Sequence, residues 1–160
     1  MRSEGQIVGR CGLQRAIVTG GTRGIGLAIA KAIVTAGGAV MVTGRQLESV
    51  DAVVRSLAEL AGDPARVSGA AVDARDSVGA NQLVAETVRR FGGLDVLVNN
   101  AGIGAFTDVA SMSDSDWDST IGTNLSGVFY CSRAAIPAMR QSGGGWIINM
   151  ASLAGRNYFP

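Results

Sequence analysis

Thr19-Gly20-Gly21-Thr22-Arg23-Gly24-Ile25-Gly26 is the stretch that decides how this chain folds. Before it stands Arg15-Ala16-Ile17-Val18-Thr19, a short apolar run that reads as a buried strand. After it, from Gly24 to Ala36, apolar residues recur at helical spacing (Ile25, Ala28, Ile29, Ala32, Ile33) until Gly37-Gly38 supplies a stop. A glycine turn leading from a strand into a helix gathers free backbone N–H groups and the positive end of the helix dipole in one place, and both favour an anion. Gly20, Gly24 and Gly26 leave no side chains where a pyrophosphate would approach. The spacing is G-x-x-x-G-x-G rather than the G-x-G-x-x-G of the common dinucleotide fingerprint, but its place between strand and helix favours a ligand over a plain turn.

Outward from this turn the pattern repeats. Ala39 to Thr43 is a second β-branched run, and Leu47, Val50, Val54, Leu57 and Ala61 form a helical stripe closed by Gly62. Arg66 to Val72 reads as strand three. Leu83, Val84, Thr87, Val88 and Phe91 make a third helix stopped at Gly92-Gly93, and Leu94 to Asn99 is strand four. A polar, irregular stretch runs from Gly102 to Ser113. A helical region then starts near Asp114 and extends, with room for a break, to Arg140, before strand five at Trp146 to Met150. Strands alternating with helices of this length imply right-handed βαβ units and a mainly parallel sheet covered on both faces.

Composition narrows the function classes. A formal net charge of +1 gives no electrostatic case for nucleic acid or an anionic membrane surface. With no histidine at all, a Ser-His-Asp triad, a Cys-His dyad and a zinc site are excluded, and no metal site is expected. Cys11 and Cys131 read as reduced thiols and small hydrophobes, as in an intracellular protein. Neither a signal h-region nor a membrane-spanning apolar run is visible, so a cytoplasmic location is expected.

At the end of strand two, a protein that grips NAD presents an acid to the ribose 2′-hydroxyl. This chain has Thr43-Gly44-Arg45 there, with Arg23 inside the glycine turn as a second cation. Two guanidinium groups suit a dianionic 2′-phosphate, which makes NADP (NADPH) the expected cofactor ahead of NAD. The alternative is that both arginines are solvated surface residues.

Several separated motifs in order resemble the classical short-chain dehydrogenase/reductase family, over nearly all of the chain from about Gly12 to Pro160. They are the turn at Thr19-Gly20 with Gly24 and Gly26, then Asp73 in Val72-Asp73-Ala74-Arg75-Asp76, then Asn99-Asn100-Ala101-Gly102. Trp117 with Asn124-Leu125 follows, and last comes Ile147-Ile148-Asn149-Met150-Ala151-Ser152-Leu153-Ala154-Gly155. The resemblance implies a doubly wound, Rossmann-type α/β fold with strand order 3-2-1-4-5. It implies cofactor contacts from Gly20, Thr22, Arg23, Gly24, Ile25, Gly26, Arg45, Asp73, Ala74, Asn100, Ala101 and Gly102, with Asp73 at the adenine and Asn100 supporting the sheet. Ser152 would polarise a substrate carbonyl and Asn124 would hold a water in a proton relay, which makes these two the catalytic residues. Taken singly, each has a plainer role: Asp73 as a helix cap, Asn124 as a partner for helix backbone, Ser152 as a loop serine, Trp117 as core.

The resemblance further implies hydride exchange between the cofactor and a ketone or secondary alcohol, most like the 3-oxoacyl-carrier-protein reductases, in a parent that is a homodimer or homotetramer. In relatives the serine is followed by Tyr-x-x-x-Lys, whose tyrosine, with a free pKa near ~10, needs the lysine's charge to act as general acid at neutral pH. Counted from Ser152, that tyrosine falls beyond Pro160; Tyr158 comes too soon and no lysine follows it. Residues 1–160 are therefore expected to be one dinucleotide-binding domain, incomplete at its carboxyl end after strand five. A catalytically inactive nucleotide-binding fragment is the alternative function. A sugar epimerase or other extended relative fits less well, because those carry the other glycine spacing and an acid after strand two. With strand five a bare sheet edge and the helix around Leu125 to Met139 uncovered, the 160-residue chain alone is expected to be poorly soluble or partly molten. A monodisperse product that melts cooperatively would contradict this.

Overall fold

The β-branched runs pair side by side in a computed structural model that describes residues 14–105 and 107–153. Strands β1 (Arg15–Val18), β2 (Ala39–Gly44), β3 (Val67–Ala71), β4 (Val96–Asn99) and β5 (Trp146–Asn149) form one parallel sheet in the order β3-β2-β1-β4-β5. Between them run α1 (Gly24–Thr35), α2 (Leu47–Ala61) and α3 (Ser77–Phe91), and between β4 and β5 run α4 (Asp114–Ile121) and α5 (Gly127–Gln141). This is the doubly wound Rossmann-type arrangement implied by the motifs, with the expected strand order.

Both faces of the central strands are buried, and successive residues feed separate cores. Ala16, Val18, Val40, Val42, Val96 and Val98 pack with Ala30 and Val34 of α1 and Leu57 of α2. Ile17, Met41 and Leu97 point the other way, onto Ala80, Leu83 and Val84 of α3 and Cys131, Ala135 and Met139 of α5. The buried Cys131 is thus the small core hydrophobe expected, and burial pushes its thiol pKa up. Cys11 lies outside the described residues. Gly62 and Gly92 close α2 and α3 with φ of 65° and 78°, a conformation that disfavours any residue with a Cβ.

Several boundaries and faces differ from the sequence-based expectation. On α1 the buried line is Gly26, Ala30 and Val34. The expected stripe is displaced: Ala28 and Ala32 face out, and Ile25 is 63 % exposed at the mouth of the helix. Small residues on the inner line let the helix lie close to the sheet, while Ile29 and Ile33 pack at its flank. Trp117 is not core; it is 57 % exposed, on a helix, α4, that buries none of its residues. The break anticipated after Asp114 is a π-helical turn, Gly122–Ser126, joining α4 to α5 without interrupting the backbone. β5 lies at the sheet edge with Trp146 and Ile148 about half exposed, 49 % and 47 %.

Strand three begins one residue later than expected because Arg66 ends a short 3₁₀ turn, Pro64–Arg66. Its guanidinium donates to the carbonyls of Val34 and Gly38, both at 3.2 Å, and to that of Ala61. One side chain therefore caps the carboxyl ends of α1 and α2, where helix dipoles favour a cation. Arg66→Met should lower the unfolding free energy by about 1–3 kcal/mol, read as an earlier urea midpoint at constant m-value.

Candidate active site

The chain order reverses around β1, with β2 on one side and β4 on the other, and open α/β sheets bind ligands outside the carboxyl ends of strands at such a point. A cleft of about 970 Å³ opens there, large enough for a nucleotide.

The glycine turn forms its floor, and hydrogen bonds fix the turn to both neighbouring strands. Thr19 Oγ1 accepts from the backbone N–H groups of Asn100 and Ala101, each at 3.0 Å. Asn100 Nδ2 donates to the carbonyls of Thr19 and Gly20, at 3.0 and 3.1 Å. On the β2 side, Gly21 N–H donates to the Thr43 carbonyl at 2.9 Å and Gly20 N–H to Thr43 Oγ1 at 3.3 Å.

The three motif glycines divide into two kinds. A Cβ on Gly20 would lie 2.9 Å from Ala101 Cα, and one on Gly26 would lie 2.4 Å from both Asn100 Nδ2 and the Gly20 carbonyl oxygen. Protein packs against those two, and Gly20 additionally has a positive φ of 62°. A Cβ on Gly24 would meet nothing within 4 Å, and its φ is 53°. Only there does the turn face open space at the helix mouth, where backbone N–H groups stand free.

The walls contain most of the residues singled out from the sequence. Gly20, Thr22, Arg23, Gly24 and Ile25 line the cleft from the turn, Arg45 from the end of β2, and Asp73 with Ala74 from the segment after β3. Asn100, Ala101 and Gly102 line it from beyond β4. Gly26 lies beneath the lining. Neither Arg23 nor Arg45 makes a salt bridge or side-chain hydrogen bond among the described residues.

Asp73 is not the cap of α3: Asp76 is, its carboxylate accepting from Val78 N–H at 2.9 Å. Asp73 instead pairs with Arg75, whose Nη2 lies 2.7 Å from Oδ2 and whose backbone N–H donates to Oδ1 at 2.9 Å. Those side-chain hydrogen bonds hold the Asp73 carboxyl below the usual carboxylate range, with Arg45 adding a smaller electrostatic pull. The pair keeps Asp73 an anion and an acceptor at the cleft wall.

Asn124 sits in the π turn but does not serve helix backbone. Its Oδ1 accepts from Ile103 N–H at 2.9 Å and its Nδ2 donates to the Ile103 carbonyl at 2.7 Å. Both ends of the carboxamide are thereby committed to the loop after β4, whose Gly102 and Ile103 line the cleft. Ser152 lies exposed just beyond β5, and neither it nor Asn124 contributes to the lining. Tyr158 falls outside the described residues.

Other groups in this network escaped the sequence reading. Asn99 Nδ2 donates to Asn149 Oδ1 at 2.8 Å and Ser132 Oγ at 3.1 Å, joining β4, β5 and α5 just below the Ser152 segment. The roles of Thr19, the first residue of the motif, and of Thr43, near the end of β2, were likewise hidden; hydroxyls that end strands beside glycines are the signal that could have found them. Thr19→Val keeps the shape and removes the shared acceptor. It should destabilise the fold by about 2–4 kcal/mol in chemical denaturation, because two N–H groups lose their partner, and Thr19→Ser should restore most of that.

A sequence model described as short chain dehydrogenase matches residues 14–160. A 3alpha-hydroxysteroid dehydrogenase of Mediterraneibacter gnavus is 38 % identical over 138 residues, which are 86 % of this chain and 55 % of that protein. A 3-oxoacyl-[acyl-carrier-protein] reductase of Chlamydia pneumoniae is 38 % identical over 143 residues, 89 % of this chain and 56 % of that one. The chain thus spans about half the length of the curated relatives it matches. A solved structure described as a short-chain alcohol dehydrogenase from Sinorhizobium meliloti 1021 superposes with a TM-score of 0.85 at 36 % identity, covering 92 % of this chain and 57 % of the other. With a turn built on Thr19 and Asn100, a Rossmann-type sheet and this match along its length, the chain belongs to the short chain dehydrogenase family.

Proposed function

We propose that the chain is the nucleotide-binding part of an NADP-dependent oxidoreductase that moves hydride between the cofactor and a ketone or secondary alcohol. The observation that carries the cofactor choice is the pair of guanidinium groups, Arg23 and Arg45, on one cleft with no carboxylate between them at Gly44. Such groups bind a 2′-phosphate bidentately. The open corner at Gly24 fits a diphosphate, and the anionic, Arg75-held Asp73 fits an amino group of the adenine.

When bound, the nicotinamide supplies or accepts the hydride. The chain's own residues hold and orient it: the turn takes the diphosphate, and Asn124 fixes the Gly102–Ile103 wall through its carboxamide. From that position Asn124 would also hold the water of the proton relay. Ser152, just beyond β5, is the donor that would polarise a carbonyl. Similarity to a 3-oxoacyl-[acyl-carrier-protein] reductase and a hydroxysteroid dehydrogenase supports a carbonyl/alcohol substrate, and the first is the type that the motifs themselves resemble.

Residues 1–160 contain no Tyr-x-x-x-Lys, which supports a second reading for this segment by itself: it holds NADP(H) without turnover. The exposed Leu125 and Phe129, at 63 % and 55 %, support assembly of the parent as a homodimer or homotetramer. The free Cys131 thiol supports a reducing, cytoplasmic compartment.

Titration with NADPH and NADH tests the central claim. Arg45→Asp should weaken NADPH binding roughly ten- to hundredfold and NADH binding far less, since the charged hydrogen bonds to the extra phosphate are what it removes. Equal losses for the two nucleotides would overturn the 2′-phosphate assignment.

A further inference from the structure

Gly44 ends β2 directly before Arg45, at the place where an acid would reach a ribose 2′-hydroxyl. Its backbone is compatible with any residue, for its φ is outside the left-handed region. Space is what forbids a side chain. A Cβ at this position would lie 2.7 Å from Thr22 Cγ2, 3.2 Å from Thr22 Oγ1 and 3.3 Å from Val50 Cγ2.

These neighbours have little room to withdraw. Thr22 is β-branched, so Cγ2 and Oγ1 both leave the contact in only one staggered rotamer, the one that turns the Cβ hydrogen toward position 44. The turn that carries it is pinned to β2 by the bonds from Gly20 and Gly21 to Thr43, so the two backbones cannot separate without breaking them. Val50, on the far side, is fully buried.

We propose that Thr22 is a specificity-determining residue: its branched side chain occupies the space a carboxylate side chain at position 44 would need, and so preserves the cleft for a nucleotide bearing a 2′-phosphate. Position 22 of the turn and position 44 of the strand are then one coupled choice, a branched residue with glycine or a small residue with an acid. The inference rests on the NADP reading above and extends it from the arginines to the steric contact behind them.

The test uses the purified full-length parent as wild type, Thr22→Ala, Gly44→Asp and the double variant, each titrated with NADPH and NADH and each melted without nucleotide. Thr22→Ala alone should still prefer NADPH. Gly44→Asp should lose NADPH affinity, gain none for NADH and melt earlier. The double variant should recover most of the lost melting temperature and bind NADH about tenfold more tightly than Gly44→Asp does, the value of a charge-assisted hydrogen bond to the ribose. If Gly44→Asp alone binds NADH as well as the double variant, Thr22 excludes nothing and the inference falls while the NADP reading stands. If wild type binds both nucleotides equally, the NADP reading falls first.

Gly44→Ala, made with and without Thr22→Ala, then judges the contact by melting temperature alone. Destabilisation confined to the Thr22 background supports the coupling, and equal destabilisation in both overturns it. Failure of Gly44→Asp to fold except beside Thr22→Ala counts in favour, and failure of both acid-bearing proteins leaves the alanine comparison to decide.

Discussion

Asn100 can reach the carbonyls of Thr19 and Gly20 only because residue 26 has no side chain. A single methyl group there would stand 2.4 Å from the donating nitrogen and from one of its acceptors. This close approach fixes the loop after β4 to the turn after β1, and most of the candidate site is arranged around that junction. The return bonds from the Asn100 and Ala101 N–H groups to Thr19 Oγ1 make it reciprocal, so each segment satisfies polar groups that the other would leave open.

The same strand is clamped at its other end by different chemistry. Arg15 donates through Nε and Nη2 to the two oxygens of Asp95, at 2.8 and 2.7 Å, and through Nη1 to the Gly92 carbonyl at 2.8 Å. Hydrogen bonding and the facing charge raise the Arg15 pKa above its already high value, so the guanidinium is charged at any ordinary pH. β1 and β4 are thus matched at the amino end by an ion pair and at the carboxyl end by neutral hydroxyl and amide groups. The neutral end is where an anion is proposed to bind, and the guanidinium groups there, Arg23 and Arg45, are left without salt-bridge partners among the described residues.

Around this floor the walls are held by pairs that reach across elements. Asp73 is oriented by Arg75, and Ile103 is gripped at both backbone groups by Asn124 from the π turn. A π turn adds a residue to the helix and rotates the next turn out of register, and such turns recur at functional sites. Here it is the turn that carries Asn124 to the loop. On the β2 side the wall is set by contact rather than bonding, with Thr22 against the bare Cα of Gly44.

The sequence by itself determined the alternation of strands and helices, the parallel sheet and the helix stops at Gly62 and Gly92, because periodicity and positive-φ glycines are local properties of a chain. It also located the cleft residues from Gly20 to Gly102, since their motifs lie at strand ends. Tertiary structure alone decided which line of α1 is buried, that Trp117 faces outward, that Asp73 answers to Arg75 while Asp76 caps α3, and that two of the three motif glycines make room for Asn100 and Ala101. Those outcomes depend on groups brought together from distant positions, and on competition among several apolar or acidic residues for one partner. Spacing names the competitors; only the packed chain, in which two atoms cannot share a place, selects among them.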